Sequence, residues 1–175
     1  MDFSLALFEM IDMRSFSNLW FWIALAVMWS TASHWVLGVP YDLVVRARKN
    51  DSQAAQDVEN LVRINVARYL YIGSVSGLWL AGLVCFLLSG LVLLGFVYGV
   101  EFAQAVFLLF FPMTLIGLLS LNTARKIDAR GAAGETLYIQ LFRHRIAIQF
   151  IGMISIFVTA MWGMYVNFSL GVWGG

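Results

Sequence analysis

Proline occurs twice in the chain, at Pro40 and Pro112, and cysteine once, at Cys85. One cysteine excludes an intrachain disulfide and cannot supply a conventional iron–sulfur site. Charge is scarce too: 12% of residues are Asp, Glu, Lys or Arg, about half the share of an ordinary soluble domain. The 11 basic residues nearly balance the 10 acidic ones, so there is no concentrated basic surface for a nucleic acid. His34 and His144 are the only histidines, and Walker, HExxH and strand–helix GxGxxG motifs are missing. We therefore assign no catalytic residue and no metal-ligand set, and the chain reads as non-enzymatic.

Long apolar runs are what the sequence has in abundance: 61% of residues are hydrophobic and the mean hydropathy is +0.82. From Tyr69 to Ala124 the only charged side chain is Glu101. A helix rises about 1.5 Å per residue, so roughly 20 apolar residues cross a hydrocarbon core of about 30 Å. This run is long enough for two crossings folded back at Gly99-Val100-Glu101, where a carboxylate is cheap at the bilayer surface. One further apolar stretch lies on each side. The expectation is an all-α, multi-pass membrane protein forming a single domain over residues 1–175. Its four spans are placed at about 19–39, 70–98, 102–121 and 146–170.

The ends of these spans have local causes. Trp20, Trp22, Trp35 and Tyr41 suit the two headgroup regions bounding the first span, which Pro40 predicts to stop near Gly38-Val39. Asp2, Glu9 and Asp12 outnumber Arg14 ahead of it, unlike the basic start of a cleaved signal peptide, so the span reads as retained. Met1–Asn18 reads as an N-terminal interfacial helix, with contacts to lipid or to a protein partner left open. Ala54, Val58, Leu61, Val62 and Asn65 recur at helical spacing, predicting a helical extension of the second span into water. Pro112 predicts a kink in the third span. Gly131 and Gly134 predict a turn, then a short interfacial helix through Tyr138 before the fourth span.

Charge orients the plan. Arg46, Arg48, Lys49, Arg63, Arg68, Arg125, Lys126, Arg130, Arg143 and Arg145 all fall in the two polar segments, leaving only Arg14 opposite. The positive-inside rule puts both segments in the cytoplasm and both termini in the periplasm of a bacterial inner membrane.

Small residues supply the most regular pattern. Gly73, Gly77, Ala81, Cys85 and Ser89 recur at every fourth position of the second span, and Ser155, Thr159 and Gly163 do so in the fourth. Such ridges let helices approach closely in lipid, where dispersion contacts replace the hydrophobic drive. Both sets are assigned to helix packing.

Chemistry has few other candidates. A haem shared by His34 and His144 is the alternative to having no cofactor, since both sit toward the basic face. Asp42, Asp57 and His34 near that face would be the nucleus of a membrane enzyme, with no reaction specified by their spacing.

The stretch Ile11-Asp-Met-Arg-Ser-Phe-Ser-Asn-Leu-Trp20 and the run Ser33-His-Trp-Val-Leu-Gly-Val-Pro-Tyr-Asp42 resemble a family of small alphaproteobacterial inner-membrane proteins. Some members are linked by label to the sulfur-mobilisation complex that assembles iron–sulfur clusters. The resemblance implies a bacterial inner-membrane home and a protein partner; it brings no catalytic motif, and Cys85 alone gives the cluster-assembly label no chemistry. The functional expectation is an accessory or structural subunit of a larger membrane complex, with energy metabolism one setting and other membrane subunits and lipid as partners. A homo-oligomer is a further expectation. The alternative is a small oligomeric transporter or channel, lined by Thr31, Ser33, His34, Thr114 and Asn122 and gated near Pro112.

Overall fold

The computed structural model describes residues 16, 19–49, 52–131 and 133–173. The Met1–Asn18 interfacial helix lies outside this range apart from Phe16. Helix α1 spans Leu19–His34, followed by strands β1 (Trp35–Val36) and β2 (Val39–Pro40) and helix α2 (Tyr41–Ala47). Helix α3 runs Ser52–Val75, α4 Gly77–Val92, α5 Glu101–Arg130 and α6 Gly134–Trp173, with a π-helical turn at Leu93–Val97 between α4 and α5. The fold is all-α apart from the two-residue ladder. Three stretches are long and apolar enough to cross a membrane: Gly77–Val97, Glu101–Arg130 and Gly134–Ser169.

The first predicted span ends earlier than its apolar run. Helix α1 has 16 residues, about 24 Å of rise, because the chain turns back after His34. Trp35 pairs with Pro40 and Val36 with Val39 in an antiparallel hairpin. Both turn residues have positive φ, Leu37 at 51° and Gly38 at 75°, as a two-residue type I′ hairpin requires. Leu37 adopts this unusual backbone while its side chain is buried, so packing offsets the strain. Gly38 is further restricted because a Cβ there would stand 2.9 Å from Nδ2 of Asn65.

The second apolar run is two helices in series. Ser76 interrupts the α-helical pattern, yet Ser76 N bonds Ile72 O and Leu80 N bonds Ser76 O, both at 2.9 Å, so α4 continues from α3. The reversal comes at Gly99, with φ 72°, and Glu101 opens α5 as the charge placement implies.

The second polar segment is more helical than its composition suggests. Helix α5 continues through Asn122 to Arg130 and stops at Gly131, whose φ of 53° is the left-handed C-terminal conformation glycine adopts readily. Helix α6 is then continuous for 40 residues, so no separate interfacial helix ends at Tyr138. Gly134 therefore starts the long helix; its N–H donates to Glu59 Oε1 at 3.0 Å, satisfying an orphan donor of the first turn.

Helix α5 is the hub, packing against α3, α4 and α6, while α1 lies along α6. Three apolar clusters stack along this bundle. At the basic end, Val36, Val39, Val44, Val58, Val62, Ile127, Leu137 and Leu141 join the hairpin, α2, α3 and the ends of α5 and α6. Leu25, Trp29, Ile116 and Ile148 form the middle cluster, and Phe16, Phe21 and Ala105 the one near Glu101. Fully burying a side chain of this kind contributes about 1.5–3 kcal/mol where water is the alternative environment. That condition holds best at the basic end, where the charged segments lie.

Candidate functional site

At the Glu101 end, backbone irregularity and polar side chains fit each other. The π turn directs Tyr98 N to Leu93 O at 3.1 Å and Val100 N to Leu94 O at 3.0 Å. Buried Gln104, on the first turn of α5, donates from Nε2 to Gly95 O at 2.7 Å and accepts Trp162 Nε1–H at 2.9 Å. One amide thus joins the π turn, α5 and α6. Gly95 is needed for this approach, since a Cβ would lie 3.0 Å from Gln104 N. Nearby, Glu101 Oε1 accepts the backbone N–H of Phe16 at 2.6 Å, and Trp22 Nε1–H donates to Phe16 O at 3.1 Å. Both backbone polar groups of Phe16 are therefore held by side chains. Glu101 is a tether as well as a turn residue.

At the basic end, α5 and α6 enclose a histidine between two hydroxyls. Thr123 Oγ1 donates to Leu119 O at 2.9 Å, so it accepts Nδ1–H of His144 at 3.0 Å. Nε2 is then the acceptor for Ser120 Oγ–H at 3.3 Å. His34 is exposed and stacks edge-on with Trp35, their rings 5.8 Å apart. A haem bridging the two histidines does not fit, because both His144 nitrogens are already engaged. No group of three metal-ligating side chains occurs among the described residues.

The other polar candidates serve local structure. Asp57 accepts from Gln53 Nε2 at 3.1 Å within one helix, and Asp42 stands exposed on α2, so these carboxylates and His34 form no bonded set. Ser33 donates to Ser30 O at 3.0 Å and Thr114 to Phe111 O at 2.6 Å, each turning its hydroxyl back onto its own helix. Thr31 and Asn122 are exposed. Pro112 is buried within continuous α5 and borders an apolar crevice of about 200 Å³ between α5 and α6. A wider cleft of about 370 Å³ at the basic end is lined by Glu59, Arg63, Asp128 and apolar groups of α3, α5 and α6.

The two small-residue ridges have different surroundings. On α6, Ser155 and Thr159 are buried, and Gly163 lies under Phe16, whose Cδ1 would stand 3.2 Å from an added Cβ. Gly152 extends this face beneath Trp29. The ridge of the second predicted span meets a neighbour at Gly73, where Leu121 Cδ1 would be 3.0 Å from a Cβ. At Gly77 nothing lies within 4 Å, Ala81, Cys85 and Ser89 are exposed, and α4 has no buried residue. Only 6% of the Gly77–Val97 apolar stretch is buried within the chain, against 22% for α5 and 28% for α6. The α4 surface is the least covered of the three.

Gln104, Gly152, Ser120 and Thr123 were not singled out from sequence. Gln104 had a signal: it is an uncharged polar side chain inside a long apolar run, where satisfying its amide requires a neighbouring element. Gly152 breaks the four-residue spacing of its ridge and had none.

No family model matches the chain, and no curated protein or solved structure matches it either. The class is set by the helices themselves: an all-α fold with three long apolar helices, consistent with a multi-pass membrane protein.

Proposed function

We propose that the chain is a non-catalytic accessory or structural subunit of a larger bacterial inner-membrane complex. The observation that carries this reading is α4, which has no buried residue and presents Gly77, Ala81, Cys85 and Ser89 outward. In lipid, a line of small side chains loses little by facing acyl chains and gains contacts when another helix approaches. Energy metabolism is one setting for such a complex. Membership of the small alphaproteobacterial family suggested by the sequence belongs to the same proposal.

In this reading α1 is a fourth crossing. It runs beside α6 from Gly163, under Phe16, past Gly152, under Trp29, and the hairpin that follows packs on α6 at the basic end. That path supports a crossing despite the short helix. Basic residues then place both polar segments in the cytoplasm and the termini in the periplasm.

Isolation in mild detergent followed by mass spectrometry tests the proposal. A stoichiometric heterologous membrane protein is expected, and its recovery should fall when Gly77→Leu blocks the α4 face. Reproducible recovery of this polypeptide alone would remove the basis for a subunit role.

A further inference from the structure

The geometry points to an anionic phospholipid site at the basic rim, in which Arg145 and Tyr41 hold a headgroup phosphate. It requires a membrane setting but no partner subunit. The Cζ of Arg145 lies 3.8 Å from the centroid of the Tyr41 ring, so the guanidinium stacks on the aromatic face. Its Nε is buried without a hydrogen-bond partner. Arg48 pairs with Glu135 at 2.9 Å, whereas Arg145 has no ion pair among the described residues, not even with Asp42, which adjoins Tyr41 in sequence.

A half-buried cation without a carboxylate is costly to desolvate and gains most from an anion brought to it. Stacking on Tyr41 occupies one face of the guanidinium and fixes its plane, leaving an N–H edge suited to two phosphate oxygens. The position matches the depth of a lipid phosphate. Arg145 immediately precedes Ile146, which is 47% exposed and begins the uncharged outer surface of α6. Hairpin pairing of Trp35 with Pro40 puts Trp35 beside Tyr41 along the same rim, and Trp35 is 49% exposed. An exposed indole and a stacked arginine at the start of an apolar helix fit the headgroup layer. Exposed Arg46 and Arg143 add positive charge around it, outweighing Asp42 and favouring an anionic lipid over a zwitterionic one.

The test uses the purified full chain in neutral detergent with added phosphatidylglycerol, and counts bound lipid by native mass spectrometry. Arg145→Gln should lower phosphatidylglycerol affinity roughly fivefold, the effect of one basic side chain at a membrane surface. Tyr41→Leu should lower it too, while Arg125→Gln on exposed α5 should leave it near wild type. Phosphatidylcholine should bind no better to wild type than to Arg145→Gln. Equal losses for Arg145→Gln and Arg125→Gln would reduce the effect to diffuse charge and overturn the site. Competition by inorganic phosphate at equal charge concentration would overturn the lipid assignment. If Arg145→Gln does not fold, Arg145→Lys decides: it keeps the charge but loses the planar fork, so wild-type affinity there overturns the site and reduced affinity supports it.

Discussion

The indole of Trp29 lies across Gly152 so closely that a Cβ there would stand 2.7 Å from Cε3 and 3.0 Å from Cζ3. Both atoms belong to a rigid ring, and Trp29 is itself buried, so the ring has little room to yield. Gly152→Ala should therefore destabilise the α1–α6 contact by about 1–3 kcal/mol, the usual cost of overpacking. Gly82→Ala is the control, since nothing lies within 4 Å of that position. Thermal unfolding in one detergent should show a clear drop for the first and little change for the second. Equal melting temperatures would contradict the close approach.

Gln104 offers a test of the Glu101 end. Gln104→Leu preserves much of the volume but leaves Gly95 O and Trp162 Nε1–H without their partner. Each buried group left unsatisfied costs about 1–3 kcal/mol, although loss in lipid can be smaller. Trp162→Phe removes one of the two bonds and should fall between wild type and Gln104→Leu in thermal stability. A Trp162→Phe loss as large as that of Gln104→Leu would show that the bond to the π turn contributes nothing measurable.

Glycines of the second apolar run separate internal from external packing. Gly73→Leu forces a side chain against Leu121 and should lower the melting temperature of the isolated chain. Gly77→Leu enters open space and should leave that temperature unchanged while reducing recovery of a partner. Stability loss for Gly77→Leu without any partner present would contradict the open surroundings of that residue.

Much of this architecture was legible because lipid-facing helices announce themselves by length and apolarity. The reversal at Gly99-Val100-Glu101 was equally plain, since a glycine and a carboxylate there admit few alternatives. The end of α1 was not. Trp35, Val36 and Val39 are as apolar as a helix requires, and only pairing across Leu37-Gly38 makes them a hairpin. Composition also misled at Gly134, where glycine suggests a break but Glu59, from a distant helix, receives the first-turn N–H. The His144 cluster depends on which residues of α5 and α6 face each other, information that neither helix carries alone.

Orientation is open to direct labelling. With Cys85 replaced, single cysteines at positions 50 and 132 should react with a membrane-impermeant maleimide from the cytoplasmic side, and positions 2 and 174 from the opposite side. Opposite labelling of 50 and 132 would overturn the topology. In the unsubstituted chain Cys85, exposed on α4 amid apolar residues, should react with a lipophilic maleimide and resist a polar one while in the bilayer.

The apolar cluster at the basic end also sets an order of events during synthesis. Val36, Val39 and Val44 emerge from the ribosome well before Leu137 and Leu141, and both central apolar helices are made in between. The hairpin, α2 and the early part of α3 therefore wait in water, with Val58, Val62 and Val66 uncovered, until α4 and α5 have entered the membrane and α6 has begun. Closure of this layer then couples completion of the water-facing part to successful insertion of the spans. A chain arrested after α5 should consequently present an apolar surface to chaperones and proteases, whereas a full-length chain hides it.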